Sequence, residues 1–146
     1  MKQFSILVLT IFLLGNTFAT ASNSNTAKAT ETGIQFQNIT FAQALQKAKH
    51  DKKLIFLNVY ATWCAPCMSL QKTTFKSAKV GEVFNKNFIN LSIDAEKGEG
   101  VGISQRYQVT AHPLMLVING EGKVVKRILG YVNNEQLFSE MKSYIK

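Results

Sequence analysis

Hydrophobic positions in this chain follow two spacings that alternate along the sequence, one typical of helices and one of buried strands. Thr40 and Gln43 have the spacing of a capping box, and apolar residues three or four positions apart follow them, which predicts a helix over 41–50. The next run, 54–61, is almost entirely apolar and rich in strand-forming residues, with a single amide, Asn58, inside it. A helix leading into a strand buried on both faces is therefore the predicted start of the fold.

The rest of the chain repeats these two patterns and adds one clear turn. Helices are predicted after Trp63, after the cap Ser77, over 101–107 and after the cap Asn133, and strands over 88–94, 114–118 and 123–131. The tetrapeptide NGEG is a strong hairpin signal, so the last two strands should pair antiparallel. A β-α-β unit followed by a β-β-α unit predicts an α/β fold with a central mixed sheet and helices on both faces.

The N-terminal residues have the composition of an export signal. A positive residue, Lys2, precedes the uncharged apolar stretch at 4–18, and small residues follow it up to Ala21. A membrane span needs roughly 20 apolar residues, so this stretch favours cleavage after Ala21 over an uncleaved anchor. We therefore expect export to an oxidising, periplasmic compartment. The predicted organisation has three parts: a signal peptide over 1–21, a flexible polar leader over 22–32, and one folded domain over 33–146.

The composition adds a positive charge without pointing to nucleic acid. The 146 residues include 17 Lys and Arg against 9 Asp and Glu, a net charge of +8. Loss of residues 1–21 removes one lysine and leaves 16 − 9 = +7. The basic residues are spread along the chain and are not interleaved with stacking aromatics, so a solvated basic surface is expected and nucleic-acid binding is not. A hydrophobic content of 46% suits one globular domain, which we expect to be a monomer.

Both cysteines, Cys64 and Cys67, follow the predicted strand 54–61 at its carboxyl end, where open α/β sheets place their chemistry. At the start of a helix, free backbone N–H groups and the helix dipole would stabilise a Cys64 thiolate, while Cys67, one turn on, could close a disulfide with it. Pro66 fits the first helical turn, where its missing N–H costs nothing. The spacing favours a redox pair in which Cys64 reacts with substrate and Cys67 resolves the mixed disulfide.

Two other uses of the cysteine pair stay open on this reasoning. A structural disulfide is less favoured, because closing so short a loop would constrain the unfolded chain very little. A metal site needs more ligands than one CxxC provides, and His112 is the residue that could add a third to Cys64 and Cys67. The alternative function is therefore a copper- or zinc-binding delivery module.

The segments LIFLNVYATWCAPC, LSIDAEKGEG and YQVTAHPLMLVINGEGKVVKRILGY resemble the thioredoxin superfamily, and most of all exported bacterial thioredoxin-like reductases. The resemblance covers about residues 50–145 and implies the thioredoxin fold. It also implies that Cys64 is the nucleophile and Cys67 the resolving thiol. The residues that it implies for the substrate groove are Trp63, His112, the cis-proline Pro113, and Gly130.

Three positions depart from the family pattern and, together with Pro66, are expected to tune the thiols. Asn58 replaces a buried Asp six residues before the first cysteine, and Asn90 replaces a lysine that commonly pairs with that Asp. An amide cannot accept and return a thiol proton, so we expect water to take that role, with the two asparagines hydrogen-bonded to each other or to water. His112 precedes the proline, near the expected position of the Cys64 sulfur, where a hydrogen bond or positive charge would make the disulfide more oxidising.

The expected function is that of a thiol–disulfide oxidoreductase whose only redox group is its own disulfide, with no further cofactor. Its substrates would be disulfide-containing exported proteins. Ala65 and Pro66 between the cysteines resemble the Gly-Pro of reductases more than the Pro-His of strong oxidases, which favours reduction. In an oxidising compartment the pair must be recharged, so a membrane electron donor with its own dithiol is an expected partner.

Overall fold

The computed structural model of the protein describes residues 32–146. The expected signal peptide and residues 22–31 of the expected leader lie outside the described residues. Within 32–146, every helix is too short or too polar to cross a bilayer.

Five helices and four strands follow one another in the described chain, joined by short connections. Their bounds are α1 Phe41–Asp51, β1 Leu54–Tyr60, α2 Ala65–Lys72, α3 Ala78–Asn87, β2 Phe88–Asp94, α4 Glu99–Arg106, β3 Leu114–Ile118, β4 Val124–Leu129 and α5 Asn134–Met141. Short 3₁₀ turns follow α2, over Thr74–Lys76, and α5, over Lys142–Tyr144. This order is the β-α-β unit followed by a β-β-α unit that the sequence predicts.

The four strands form one mixed sheet in the order β2-β1-β3-β4. β1 pairs with β2 in parallel, so that Leu54 lies beside Phe88 and Tyr60 beside Asp94. β3 pairs antiparallel with β1 and with β4, which places β4 at one edge as expected. The parallel pairing brings the carboxyl ends of β1 and β2 to the same edge of the sheet, and this edge carries the cysteine pair.

Two hydrophobic cores cover the two faces of the sheet. One contains Phe41 and Ala44 of α1 together with Ile103 of α4. The other lies under α2, α3 and α5, where the ring of Phe56 meets those of Phe75, Phe84 and Phe88 at centroid distances of 4.8–6.4 Å. Since β1 is buried on both faces, its carboxyl end is held rigidly between these cores.

The N-terminal segment of the domain, residues 33–39, runs along the outer edge of β2. The Ile34 N–H donates to the Phe75 carbonyl at 2.7 Å, and the Gln37 N–H donates to the Asn90 carbonyl at 2.8 Å. Phe36 packs edge-on against Phe75 with 5.3 Å between ring centroids. This segment therefore satisfies part of an edge that β2 would otherwise expose.

The predicted caps and the hairpin turn are confirmed. Capping boxes begin α1 at Thr40 and α5 at Asn133, and the side chain of Asn119 accepts two backbone N–H groups within the β3–β4 turn. α4 begins at Glu99, two residues earlier than predicted. The Glu99 carboxylate accepts the Phe41 N–H at 3.0 Å, so a long-range contact with α1 fixes this start.

Other boundaries differ by a few residues from those predicted. β1 ends at Tyr60 and α1 continues to Asp51, where Lys52 closes the helix in a left-handed conformation at φ 52°. The helix predicted after Asn133 ends at Met141, so Ile145, four residues further on, lies beyond it. Ile145 still packs against the core under α2, α3 and α5 from outside the helix.

Candidate active site

The cysteine pair lies at the junction between β1 and α2. The chain leaves β1 at Tyr60, turns through Ala61, and enters α2 with Cys64 as its N-cap residue. Cys64 and Cys67 form a disulfide, with 5.3 Å between their Cα atoms. The cysteine pair therefore lies where the sequence predicts it, at the carboxyl end of the first buried strand.

Cys64 caps the helix through its sulfur. The Cys67 backbone N–H donates to Cys64 Sγ at 3.2 Å, and the Met68 N–H donates to the Cys64 carbonyl at the same distance. Pro66 is the second residue of α2, where it removes no helical hydrogen bond. A sulfur held at the positive end of a helix and next to a backbone N–H is stabilised as a thiolate.

The two sulfurs differ little in burial, and both are largely covered. Cys64 is 4% exposed and Cys67 is 2% exposed, with Ala61 and Tyr60 packed against them. Cys67 is slightly the less exposed of the two, as expected of the thiol that resolves a mixed disulfide.

Trp63 forms an exposed wall beside the pair. Its side chain is 68% exposed, and its Nε1–H donates to Glu96 Oε1 at 3.0 Å. Its ring meets the His112 ring edge-on, with 6.1 Å between centroids. Sequence reasoning did not find Glu96, because it belongs to a loop whose path the hydrophobic pattern does not fix.

Pro113 and Gly130 are brought together at the ends of β3 and β4. The His112–Pro113 peptide bond is cis, and the Pro113 carbonyl accepts the Gly130 N–H at 2.8 Å. Gly130 has φ +86°, a left-handed conformation that suits glycine. Its neighbours Leu129 and Tyr131 are 62% and 46% exposed. The predicted groove residues on β3 and β4 are thus adjacent to one another.

Residues 41–145 match a family model described as a thioredoxin-like domain. The chain belongs to the thioredoxin-like family of thiol–disulfide oxidoreductases. The sheet order, the helices on both faces and the disulfide at the start of α2 agree with this membership.

Two curated relatives of this chain are much longer than it is. The chain is 36% identical over 110 residues to monothiol glutaredoxin-4 of Schizosaccharomyces pombe. The match covers 74% of this chain and 42% of that protein. It is 25% identical over 128 residues to the thiol:disulfide interchange protein DsbD of Yersinia pestis, with 84% of this chain and 22% of that protein covered. The chain therefore spans less than half the length of either curated relative.

A solved structure is closer in size. A candidate disulphide-isomerase from Bacteroides thetaiotaomicron is 41% identical, with a TM-score of 0.68, and the match covers 78% of this chain and 94% of that one. This similarity extends over nearly the whole of the solved domain and supports the same fold for residues 32–146.

The asparagines that depart from the thioredoxin pattern do not bond to each other. Asn58 lies opposite Ser92 in the parallel register, and its Nδ2 donates to Ser92 Oγ at 2.9 Å. Asn90 lies two residues earlier on β2, opposite Phe56, and its Nδ2 donates to the Phe84 carbonyl and to Asn85 Oδ1 at 3.3 and 3.2 Å. Of the two expected arrangements, a bond between Asn58 and Asn90 is therefore wrong, because the register gives each amide a different partner.

Both amides are almost fully buried and incompletely bonded. Asn58 and Asn90 are each 1% exposed, and neither Oδ1 has a protein hydrogen-bond donor. Together with Thr74 they are the buried polar residues of the described chain. The core of residues 32–146 therefore holds no buried carboxylate, in contrast to the thioredoxin pattern with its buried Asp.

His112 is partly buried against Trp63, and its Nδ1 is covered without a hydrogen-bond partner. In the described residues 32–146, no three His, Cys, Asp or Glu side chains gather into a group that could hold a metal ion. The three-ligand group of Cys64, Cys67 and His112 considered for copper or zinc is thus not assembled in this part of the chain.

Proposed function

We propose that the protein is an exported thioredoxin-like reductase in which Cys64 attacks disulfides of exported proteins and Cys67 completes the reaction. The observation that carries this proposal is the N-cap position of Cys64, whose sulfur accepts the Cys67 N–H at 3.2 Å. That position favours the thiolate at the Cys64 sulfur. It therefore assigns the attacking role to Cys64.

The reaction proceeds by two thiol–disulfide exchanges. The Cys64 thiolate attacks one sulfur of a substrate disulfide, which forms a Cys64–substrate bond and releases the other substrate sulfur as a thiolate. Cys67 then loses its proton to solvent, and its thiolate attacks Cys64 Sγ. The second substrate thiolate leaves, the Cys64–Cys67 disulfide forms, and two electrons have passed to the substrate.

Protein substrates, and not only small disulfides, suit the surface around the pair. Of the six large hydrophobic residues that are exposed in the described part of the chain, four lie beside the cysteines or Gly130: Trp63, Met68, Leu129 and Tyr131. Exposed apolar residues grouped around a reactive sulfur favour binding of a polypeptide chain. The groove residues Trp63, His112, Pro113 and Gly130 are proposed to contact its backbone and side chains.

Regeneration of the reduced pair completes the proposed cycle. The signal-like N-terminus supports export, and an exported reductase needs electrons from across the membrane. A membrane protein with its own dithiol is therefore the proposed donor. The relative named thiol:disulfide interchange protein DsbD agrees with exchange between dithiols.

A turbidity assay of insulin reduction with dithiothreitol tests the proposal. We expect the protein to accelerate precipitation of the insulin B chain. In Cys64→Ser this acceleration should fall about a thousandfold, because the nucleophile is gone. Elemental analysis of the same preparation separates the alternative. Stoichiometric copper or zinc without reductase activity would refute the reductase and favour the metal module.

His112 is proposed to raise the reduction potential by stabilising the Cys64 thiolate through a hydrogen bond or positive charge. Support comes from its place before Pro113 and from a buried Nδ1 that has no protein partner. In His112→Val we expect the pKa of the Cys64 thiol to rise by about one unit. The reduction potential should fall by about 30 mV, since thiolate stabilisation favours the reduced form.

Thiolate absorbance at 240 nm against pH and a glutathione redox titration measure these two quantities. His50→Val is the matched control, because His50 is exposed at the end of α1, before the first residue of β1, whereas the pair follows the last residue of that strand. If His112→Val and His50→Val gave the same pKa and potential as the unmodified protein, the tuning role would be wrong.

A further inference from the structure

Four lysines converge at the end of the molecule opposite the cysteines. They line a cavity of about 540 Å³, together with Leu54, Asn87 and Tyr144. We call Lys52, Lys53, Lys86 and Lys146 the lysine pole. They come from three separate stretches of chain: the α1–β1 connection, the end of α3 and the last residues of the sequence.

Backbone contacts fix the lysine pole in place. Lys52 ends α1 in a left-handed conformation, and its N–H donates to the Ala48 carbonyl. Lys53 Nζ donates to the Lys86 carbonyl at 2.7 Å, which ties the α1–β1 connection to α3. The Lys146 N–H donates to Asn87 Oδ1 at 2.9 Å and holds the last residue beside them. The charges thus share one face because the fold puts them there.

The positive charge of the lysine pole is not neutralised by neighbouring carboxylates. Among residues 32–146, none of its four members forms a salt bridge. Asp51 is the acidic side chain in the cavity lining, and it pairs with Lys47 at 3.2 Å. Even with an α-carboxylate counted at Lys146, four lysines against two carboxylates leave 4 − 2 = +2, before Lys47 is added. The pole is therefore a fixed excess of positive charge.

The opposite end of the molecule is acidic. The carboxyl end of β2 and the loop after it carry Asp94, Glu96 and Glu99, of which Asp94 pairs with Lys97 at 3.4 Å. The lysine pole flanks Leu54, the first residue of β1, whereas Cys64 follows its last residue, Tyr60. Six residue steps along a strand separate the two ends by about 20 Å. The chain therefore has a charge dipole along β1, with the redox pair at its negative end.

We infer that the lysine pole docks the protein on an anionic lipid surface, with the redox pair facing away from that surface. Three of the four lysines are exposed, and a lysine is a flexible point charge that suits many headgroups better than one ligand. A pocket for a single small anion would need buried, converging donors, which this cavity does not present. Anionic headgroups attract each nearby lysine and repel the acidic end.

This docking does not depend on the reductase chemistry. The lysine pole contains no residue of the candidate active site, so its loss leaves insulin reduction in solution unchanged. On a membrane, the orientation leaves Cys64 open to proteins that arrive from the aqueous side. It also places the α1–β1 connection and the end of α3 against the headgroups.

Vesicle partitioning tests the docking with the full chain. The measured quantity is the ratio of partition coefficients between vesicles of phosphatidylcholine with about 30% of the anionic lipid phosphatidylglycerol and vesicles of phosphatidylcholine alone. The apolar N-terminal stretch adds to partitioning into both kinds of vesicle, so its contribution cancels in the ratio. We expect K52Q/K86Q/K146Q to lower this ratio about a hundredfold, since each lysine near the surface contributes about fivefold.

A charge-matched variant, K72Q/K76Q/K79Q, removes three exposed lysines from α2, the 3₁₀ turn after it and the start of α3, and should lower the ratio by less than about fivefold. Equal losses in the two variants would overturn the docking, because net charge alone would then account for binding. Displacement from vesicles by millimolar inorganic phosphate at constant ionic strength would also overturn it in favour of a small-anion site.

Amine acetylation of the unmodified protein gives a second measurement that needs no substitution. On anionic vesicles we expect Lys52, Lys86 and Lys146 to lose at least threefold in labelling rate, while Lys72 and Lys79 keep theirs. Uniform protection, or protection of Lys97 beside the active site, would show a different face on the membrane and refute the inference.

Discussion

The Cys67→Ser variant is expected to stop after the first exchange and to accumulate as a mixed disulfide between Cys64 and its substrate. Serine keeps the backbone N–H that Cys67 donates to Cys64 Sγ at 3.2 Å, so the stabilised nucleophile remains. Cys67 is 2% exposed, and replacing sulfur with the smaller oxygen leaves the packing nearly intact. Without a resolving thiol, turnover with insulin should fall by about a thousandfold or more.

Alkylation of free thiols followed by non-reducing electrophoresis detects the trapped complex. Dithiothreitol should reduce its mixed disulfide and separate the two proteins. Cys64→Ser is the control with the same change at the other cysteine, and it should trap far less substrate because Cys67 lacks the N-cap position that stabilises the Cys64 thiolate. More trapped complex with Cys64→Ser than with Cys67→Ser would reverse the assigned roles. Run on an extract of exported proteins, the same variant identifies the physiological substrates.

The Asn58→Asp variant is expected to lose stability with rising pH and to gain a new titration in its reductase profile. Asn58 is 1% exposed, and burial disfavours an ionised carboxylate, so the pKa of the introduced Asp should be raised. Below the unfolded pKa of about 3.9 the Asp is neutral in both states, and stability should be near that of the unmodified protein. As pH rises from there to the folded pKa, the unfolded state ionises first and stability falls.

A shift of about three units would reduce the free energy of unfolding by about 4 kcal/mol above the folded pKa. The Ser92 hydroxyl that now accepts from Asn58 can instead donate to the carboxylate and limit this loss. The carboxylate would also offer a proton acceptor on the face of β1 that α2 covers. Release of substrate from the mixed disulfide should then become faster near neutral pH.

Urea unfolding at pH 4 and pH 8 and a pH profile of single-turnover release measure the two effects. Asn90→Asp is the matched control, because Asn90 is equally buried but bonds to Phe84 and Asn85 at the α3 side. It should lose stability without changing the release profile. An unchanged profile in Asn58→Asp would refute the view that this amide slows deprotonation of Cys67.

The hydrophobic pattern of the sequence was sufficient for the order of the elements and the place of the cysteine pair. The near-continuous apolar run ending at Tyr60 requires burial on both faces, and only a central strand offers this. Once that strand is central, Cys64 must lie at its carboxyl edge. Local signals also gave the caps at Thr40 and Asn133, since each rests on two residues three positions apart.

The partners of individual side chains could not be predicted in the same way. Asn58 bonds to Ser92 and not to Asn90 because the register of β1 against β2 pairs residue 58 with residue 92, and the alternation of side chains does not fix which position pairs with which. Glu96 reaches Trp63 from a loop, and Glu99 sets the start of α4 by contact with α1. Each depends on tertiary geometry that no local pattern records.

The segment 33–39 along the outer edge of β2 also affects how molecules of this protein meet. The family model starts at residue 41, so a chain trimmed to that boundary would lose the Gln37 N–H that now bonds to the Asn90 carbonyl. An uncovered edge strand is a template for pairing with a neighbour. The seven residues of this segment therefore cover part of the β2 edge against pairing with a neighbouring molecule, although they form neither helix nor strand.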